Sequence, residues 1–173
     1  MESFKEEIVK RMANTYKKAD PFPNLIQRGK LYISCLYGAR KADQIPSLTG
    51  VIAIGPDKWF IESWYAKFKG LEYHYIEVND SEQEDISQYF ESATDFIHRQ
   101  KGAVLVHCAA GVSRSATICI AYLMRYGGFN YDQAYSICKI ARPEICPNPG
   151  FVEQLKKYEI TLFPLPSPSL DSK

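Results

Sequence analysis

The apolar residues of this 173-residue chain change their spacing several times, and each change marks an element. Phe4, Ile8 and Met12 recur at every fourth position, so residues 3–18 read as an amphipathic helix that packs on or flanks the rest of the chain. Its Lys5, Lys10, Arg11, Lys17 and Lys18 interleave with Glu2, Glu6 and Glu7, the mixed-sign pattern of a solvated face. The breaker cluster Asp20-Pro21-Phe22-Pro23-Asn24 then predicts where the folded domain begins. Leu31-Tyr32-Ile33-Ser34 reads as a strand. Gly50-Val51-Ile52-Ala53-Ile54 is a second, continuously apolar as a buried parallel strand should be, and Gly55-Pro56 ends it. Between the two, Tyr37 to Ile45 predicts a short helix stopped by Pro46. Trp59, Phe60, Trp64, Tyr65 and Phe68 follow as aromatic candidates for the core, and Glu72 to Val78 alternates as a third strand.

In the second half Ile86, Tyr89, Phe90, Ala93, Phe96 and Ile97 share one helical face, with Asp85 as the predicted N-cap. Val104 to Val106 returns to the sheet. Residues 115–126, 131–141 and 150–162 predict three further helices. Gly127-Gly128 stops the first, Asn130 caps the second, and Pro143, Pro147 and Pro149 break the chain before the third. From Pro164 the chain has neither helical nor strand period, which predicts a disordered Pro/Ser-rich tail over 164–173. Strands alternating with helices over residues 21–163 predict one α/β domain, its central, mostly parallel sheet flanked by helices on both faces. Such sheets bind ligands at the carboxyl ends of their strands.

Composition changes this picture little. Hydrophobic residues make up 46% and charged residues 24% of the chain, as in an ordinary globular domain with a sizeable core. A net charge of +1 gives no reason to expect nucleic acid or an acidic membrane as partner, so any electropositive site must be local. No apolar run approaches the ~18 residues a membrane span requires. Cys35, Cys108, Cys119, Cys138 and Cys146 form no CxxC pair, and His74, His98 and His107 do not cluster with them at zinc-ligand spacing. An odd cysteine count fits a reducing compartment, predicting the cytoplasm with the nucleus open by diffusion.

Chemistry concentrates in VLVHCAAGVSRSATICIAYLM, Val104 to Met124. A short buried strand, a loop of small residues and a helix N-terminus are a physical recipe for holding an anion, because loop N–H groups can turn inward and the helix dipole adds positive potential. Arg114 adds a planar fork of donors suited to phosphate. Cys108 stands at the start of that loop, in the kind of positive surroundings that lower a thiol from about 8.5 to roughly 3.5–7.5. A nucleophile on the floor of a phosphate cradle points to phosphoryl transfer onto cysteine.

His107-Cys108-Ala109-Ala110-Gly111-Val112-Ser113-Arg114-Ser115 resembles the HCxxGxxR[ST] signature of the cysteine-dependent protein tyrosine phosphatases. The AGVSRS version followed by Ala121-Tyr122-Leu123-Met124 is similar to their dual-specificity branch. The resemblance implies that branch's protein-tyrosine-phosphatase-like fold and a cofactor-free, metal-free hydrolysis of phosphotyrosine and phosphoserine or phosphothreonine through a phosphocysteine. Cys108 would be the nucleophile. Arg114 and the loop backbone from Ala109 through Ala110, Gly111, Val112 and Ser113 would bind phosphate, or a sulfate- or vanadate-like anion. The family's general acid follows the strand before the long helix, which places it at Asp80, with Asp85 as rival. Ser115 occupies the position of the hydroxyl that helps the sulfur depart. His107 and Asn148, the latter in Pro147-Asn148-Pro149-Gly150-Phe151, would support the loop. Arg142 is open between binding a second phosphate or a flanking acidic residue and lying plainly on the surface.

The resemblance spans roughly Gly29 to Leu162. The chain shows no separate kinase-docking domain, which matches the small, atypical members of the branch. The loop between Cys108 and Arg114 contains no lysine, which favours a phosphoprotein substrate over highly charged phosphoinositides. Two alternatives stay open: a non-catalytic or substrate-trapping phosphoprotein-binding module, and a phosphatase of a non-protein ester.

Overall fold

The structure, a computed structural model, describes residues 22–164 apart from 57, 59–64, 66 and 67. The helix expected within residues 1–20 and the tail beyond Pro164 lie outside the described residues, as do Trp59, Phe60 and Trp64. Among the described residues the sheet has five strands: β1 (Asn24–Gln27), β2 (Leu31–Cys35), β3 (Leu48–Ile54), β4 (Glu72–Ile76) and β5 (Ala103–Cys108). Their order is β1-β2-β5-β3-β4. β2, β5, β3 and β4 run parallel, while β1 pairs antiparallel with β2. The expected mostly parallel α/β sheet is the observed one, with an antiparallel edge added.

β1 is the strand that periodicity missed. It has four residues, alternately half-buried and exposed, directly after the Pro21–Pro23 breaker. What holds it is the tight turn to β2, closed by Lys30 N–H donating to Gln27 O at 3.0 Å, rather than a hydrophobic run. The helix expected from Tyr37 is a tighter 3-10 helix, Gly38–Gln44, with non-helical angles at Lys41.

The α-helices whose full span lies among the described residues are α1 (Phe90–Arg99), α2 (Arg114–Gly127), α3 (Tyr131–Ala141) and α4 (Pro149–Leu162). Alternation along the strands sorts the core into two layers. Ile33, Ile52, Ile54, Val104 and Val106 face the layer that holds Phe90 and Ile97 of α1, most of α2, Cys138 of α3 and Phe151 of α4. Val51, Ala53, Ala103 and Leu105 face the other way, onto Ala39, Ala42 and Ile45 of the 3-10 helix and onto Tyr65 and Phe68. β5 and α2 are buried nearly throughout, so the strand–loop–helix unit at Cys108 forms the centre of the molecule.

One predicted cap falls as expected and the other does not. Asn130 accepts from Gln133 N–H while the Gln133 side chain returns to Asn130 N–H, a full capping box. Asp85 does not cap α1, which begins at Phe90 behind Tyr89; its carboxylate accepts from Ser87 N–H (3.0 Å) and Ser87 Oγ (2.6 Å), a local turn just before the 3-10 turn Ser87–Tyr89 that leads into α1.

Candidate active site

β5 ends at Cys108 and α2 begins at Arg114, so the anion loop joins the middle strand to a helix N-terminus. Each loop carbonyl is held by a donor outside the loop. Leu36 N–H donates to Ala109 O at 3.1 Å, and Cys146 N–H to Val112 O at 2.9 Å. Arg142 donates from Nη2 to Ala110 O at 3.3 Å and from Nε to Gly111 O at 2.8 Å. Ser113 O accepts both the N–H and the hydroxyl of Thr117, each at 2.9 Å. The described peptide bonds are all trans, and in a trans peptide the N–H points opposite to the carbonyl. Five carbonyls drawn outward therefore turn the N–H groups of Ala110, Gly111, Val112, Ser113 and Arg114 to the inside. Gly111 N–H accordingly donates to Cys108 Sγ at 3.2 Å.

Cys108 is 2% exposed, and its sulfur also lies 3.2 Å from Ser115 Oγ. Arg114, 7% exposed, is anchored by Nη1 donating to Val78 O at 3.2 Å. Its buried Nε has no hydrogen-bond partner among the described residues. An unpaired buried donor is costly, and an oxyanion in the loop is the group that would satisfy it.

Asp80 arrives from the segment after β4. Its Oδ1 accepts from Ser113 Oγ at 2.7 Å and from Asn148 Nδ2 at 2.9 Å, and its Oδ2 lies 4.0 Å from Arg114 Nε. The carboxylate thus touches the rim of the cradle while remaining partly open to solvent. Asn148 does three jobs. It caps α4 by accepting from Phe151 N–H (3.0 Å), donates its amide to Asp80, and donates its own N–H to Ser113 Oγ (3.0 Å). A side chain at Gly150 would strike Glu82 O at 2.2 Å, so this helix end approaches the Asp80 segment as closely as backbone allows.

His107 is buried against the Tyr65 ring, the two centroids 5.7 Å apart. Neither ring nitrogen has a hydrogen-bond partner among the described residues. Burial pulls its pKa down to about 4, offset only in part by the adjoining Cys108 backbone, so the imidazole is neutral at physiological pH. Burial pushes the Cys119 thiol well up and that of Cys138 up to about 12. All five cysteines are free, and only Cys146 is exposed. Among the described residues no group of three or more His, Cys, Asp or Glu side chains could hold a metal ion, and no helix is long and apolar enough to cross a membrane.

The site residues read from the sequence, Cys108 to Ser115 with Asp80 and Asn148, come together in one place. Arg142 overturns both readings left open for it. It is 0% exposed, binds loop carbonyls and reaches Asn24 Oδ1 at 2.6 Å, so it is neither a surface residue nor a free anion ligand. Neither that position nor the role of Asn24 has a sequence signal, since a lone Arg before Pro143 fits a helix end equally well.

A cysteine, an arginine and a carboxylate gathered on an inward-facing N–H loop at the end of a parallel sheet define a thiol site for phosphate esters. The chain belongs to the dual specificity phosphatase family: the family model "Dual specificity phosphatase, catalytic domain" matches residues 30–161. It is 50% identical over 96 residues to human dual specificity protein phosphatase 14, covering 54% of this chain and 48% of that one. It is 49% identical over 98 residues to MAP kinase phosphatase with leucine-rich repeats protein 3 of Dictyostelium discoideum, covering 55% and 11%. The chain thus spans half or less of the length of these two relatives. The crystal structure of human DUSP28 superposes with a TM-score of 0.72 at 30% identity, covering 83% of this chain and 96% of that one.

Proposed function

We propose that residues 21–163 form an active dual specificity protein phosphatase domain. The reading rests on one observation: five outward-held carbonyls leave five N–H groups facing a loop that has the Cys108 sulfur at its floor and Arg114 at its end. The Cys108 thiolate attacks phosphorus, and the equatorial oxygens receive the loop N–H groups and Arg114. The bond to the leaving oxygen breaks as Asp80 gives that oxygen its proton. Water then attacks the phosphocysteine, the Asp80 carboxylate takes the water's proton, and the S–P bond breaks. Ser115 Oγ, already 3.2 Å from the sulfur, donates to the departing thiolate. His107 and Asn148 support the loop.

Phosphotyrosine and phosphoserine or phosphothreonine in proteins are the substrates, supported by the family and by the absence of lysine between Cys108 and Arg114. Five free cysteines support a reducing compartment, the cytoplasm or nucleus, as the working location. The test is hydrolysis of para-nitrophenyl phosphate and of a phosphotyrosine peptide with chelator present. Cys108→Ser should abolish both. Asp80→Asn should barely slow the activated nitrophenyl ester yet slow the peptide by about 100-fold or more, because only the peptide's leaving group needs the proton. Equal effects of Asp80→Asn on both substrates would remove Asp80 from the acid role. No turnover in the unmodified chain would leave a phosphoprotein-binding module.

A further inference from the structure

Resting on the phosphatase reading, we infer that Arg142 is a positioning residue of the site: it aims two N–H groups of the phosphate loop and sets a full positive charge behind them. Among the described residues, Arg142 is the only charged donor to the loop carbonyls from Ala109 to Ser113. It holds two consecutive peptides. Pulling Ala110 O and Gly111 O outward fixes the N–H groups of Gly111 and Val112 inward, and the first of these donates to the nucleophile at 3.2 Å. One planar guanidinium can do this because its fork presents parallel donors at fixed angles, which a flexible ammonium does not.

The charge itself argues for more than a strut. Arg142 is fully buried, and its partners are two carbonyl oxygens and the Asn24 amide oxygen, all neutral. Among the described residues no carboxylate lies within salt-bridge distance of it. A buried cation without a counter-charge costs several kcal/mol, so a merely structural plug would be better made of neutral atoms. A phosphate dianion bound across the two peptides supplies the missing negative charge. Asn24 keeps the third arm of the fork in place and lies on β1, ahead of the region matched by the family model. The edge strand that periodicity missed therefore reaches the active site through a single side chain.

The experiment compares the unmodified chain with Arg142→Met, Arg142→Lys and Asn24→Ala, each first checked for cooperative thermal unfolding. Three quantities are measured: nitrophenyl phosphate kinetics, orthovanadate inhibition, and the pH midpoint of iodoacetamide alkylation at Cys108 followed by mass spectrometry. Arg142→Met should lose roughly 10–100-fold in kcat and in vanadate affinity and move the alkylation midpoint to higher pH. Arg142→Lys should restore most of the midpoint, which needs only charge, but little of kcat, which needs the fork. Asn24→Ala should shift all three in the same direction by a few-fold. Unchanged vanadate affinity and alkylation midpoint in a folded Arg142→Met protein would reduce Arg142 to packing and overturn the inference. If Arg142→Met does not fold, Arg142→Lys and Asn24→Ala decide on the same measurements. Should the unmodified chain show no turnover, the phosphatase reading fails separately, and the alkylation midpoint still reports whether Arg142 acts on Cys108.

Discussion

A side chain at Gly111 would meet backbone directly: its Cβ would lie 2.6 Å from Cys35 N and from Ser34 C, and its φ is +68°. Both the close approach of β2 and the left-handed turn require glycine there, so one residue sets how near the loop lies to the sheet. His107, four positions earlier, imposes a different condition. Its folded pKa of about 4 lies below its ordinary 6.5, so the folded protein refuses a proton that the unfolded chain accepts between those values. Stability from this group is complete above pH 6.5 and is lost as pH falls through 4, amounting to roughly 3 kcal/mol across the window. Urea unfolding of the unmodified chain and of His107→Asn at pH 7 and pH 4 should show the smaller decline in the variant. Parallel declines would mean that His107 is not the titrating group.

At the scale of elements, strand register decides which thiols can meet. Cys35 and Cys108 are direct partners on the parallel strands β2 and β5. Neighbouring strands lie about 4.8 Å apart, inside the roughly 4.4–6.8 Å between Cα atoms that a disulfide tolerates. Cys119 and Cys138 have thiols raised by burial and attack poorly. Hydrogen peroxide should therefore convert Cys108 to a sulfenic acid with release of water, after which the Cys35 sulfur attacks, closing the S–S bond and releasing a second water. Mass spectrometry of peroxide-treated protein should find the Cys35–Cys108 link, activity should return with dithiothreitol, and Cys35→Ser should become irreversibly oxidised. A Cys108–Cys119 link, or full recovery of Cys35→Ser, would count against the register argument.

Across the whole molecule, three separate elements close the site. Asp80 after β4, Ser113 at the start of α2 and Asn148 at the start of α4 meet in one set of hydrogen bonds. An anion in the loop should tighten all three at once and so stabilise the entire fold. Orthovanadate at about 100 times its Kd should add about 2.7 kcal/mol to unfolding, read as a raised Tm. Arg114→Ala should lose most of that gain while keeping its own Tm without vanadate close to the unmodified value. An equal vanadate shift in Arg114→Ala would place the anion elsewhere.

The sequence by itself determined the elements whose cause is local. Unbroken apolar runs make β3 and β5, four-residue spacing makes α1, Asn130 and Gln133 set the start of α3, and fixed spacing from His107 to Ser115 carries the loop's chemistry. Asp80 was legible only through the family resemblance, which places an acid after the strand that precedes the long helix, and the fold does bring it to the rim of the loop. The tertiary structure alone decided what depends on distant partners. β1 is too short and too exposed to show a period and exists because β2 offers it an edge. Arg142 is indistinguishable in sequence from a solvated arginine until α3 and β1 bury it against Ala110, Gly111 and Asn24. Periodicity records which face of an element is apolar, whereas a buried polar contact is set by groups up to 118 residues apart, and no local pattern encodes such a pairing.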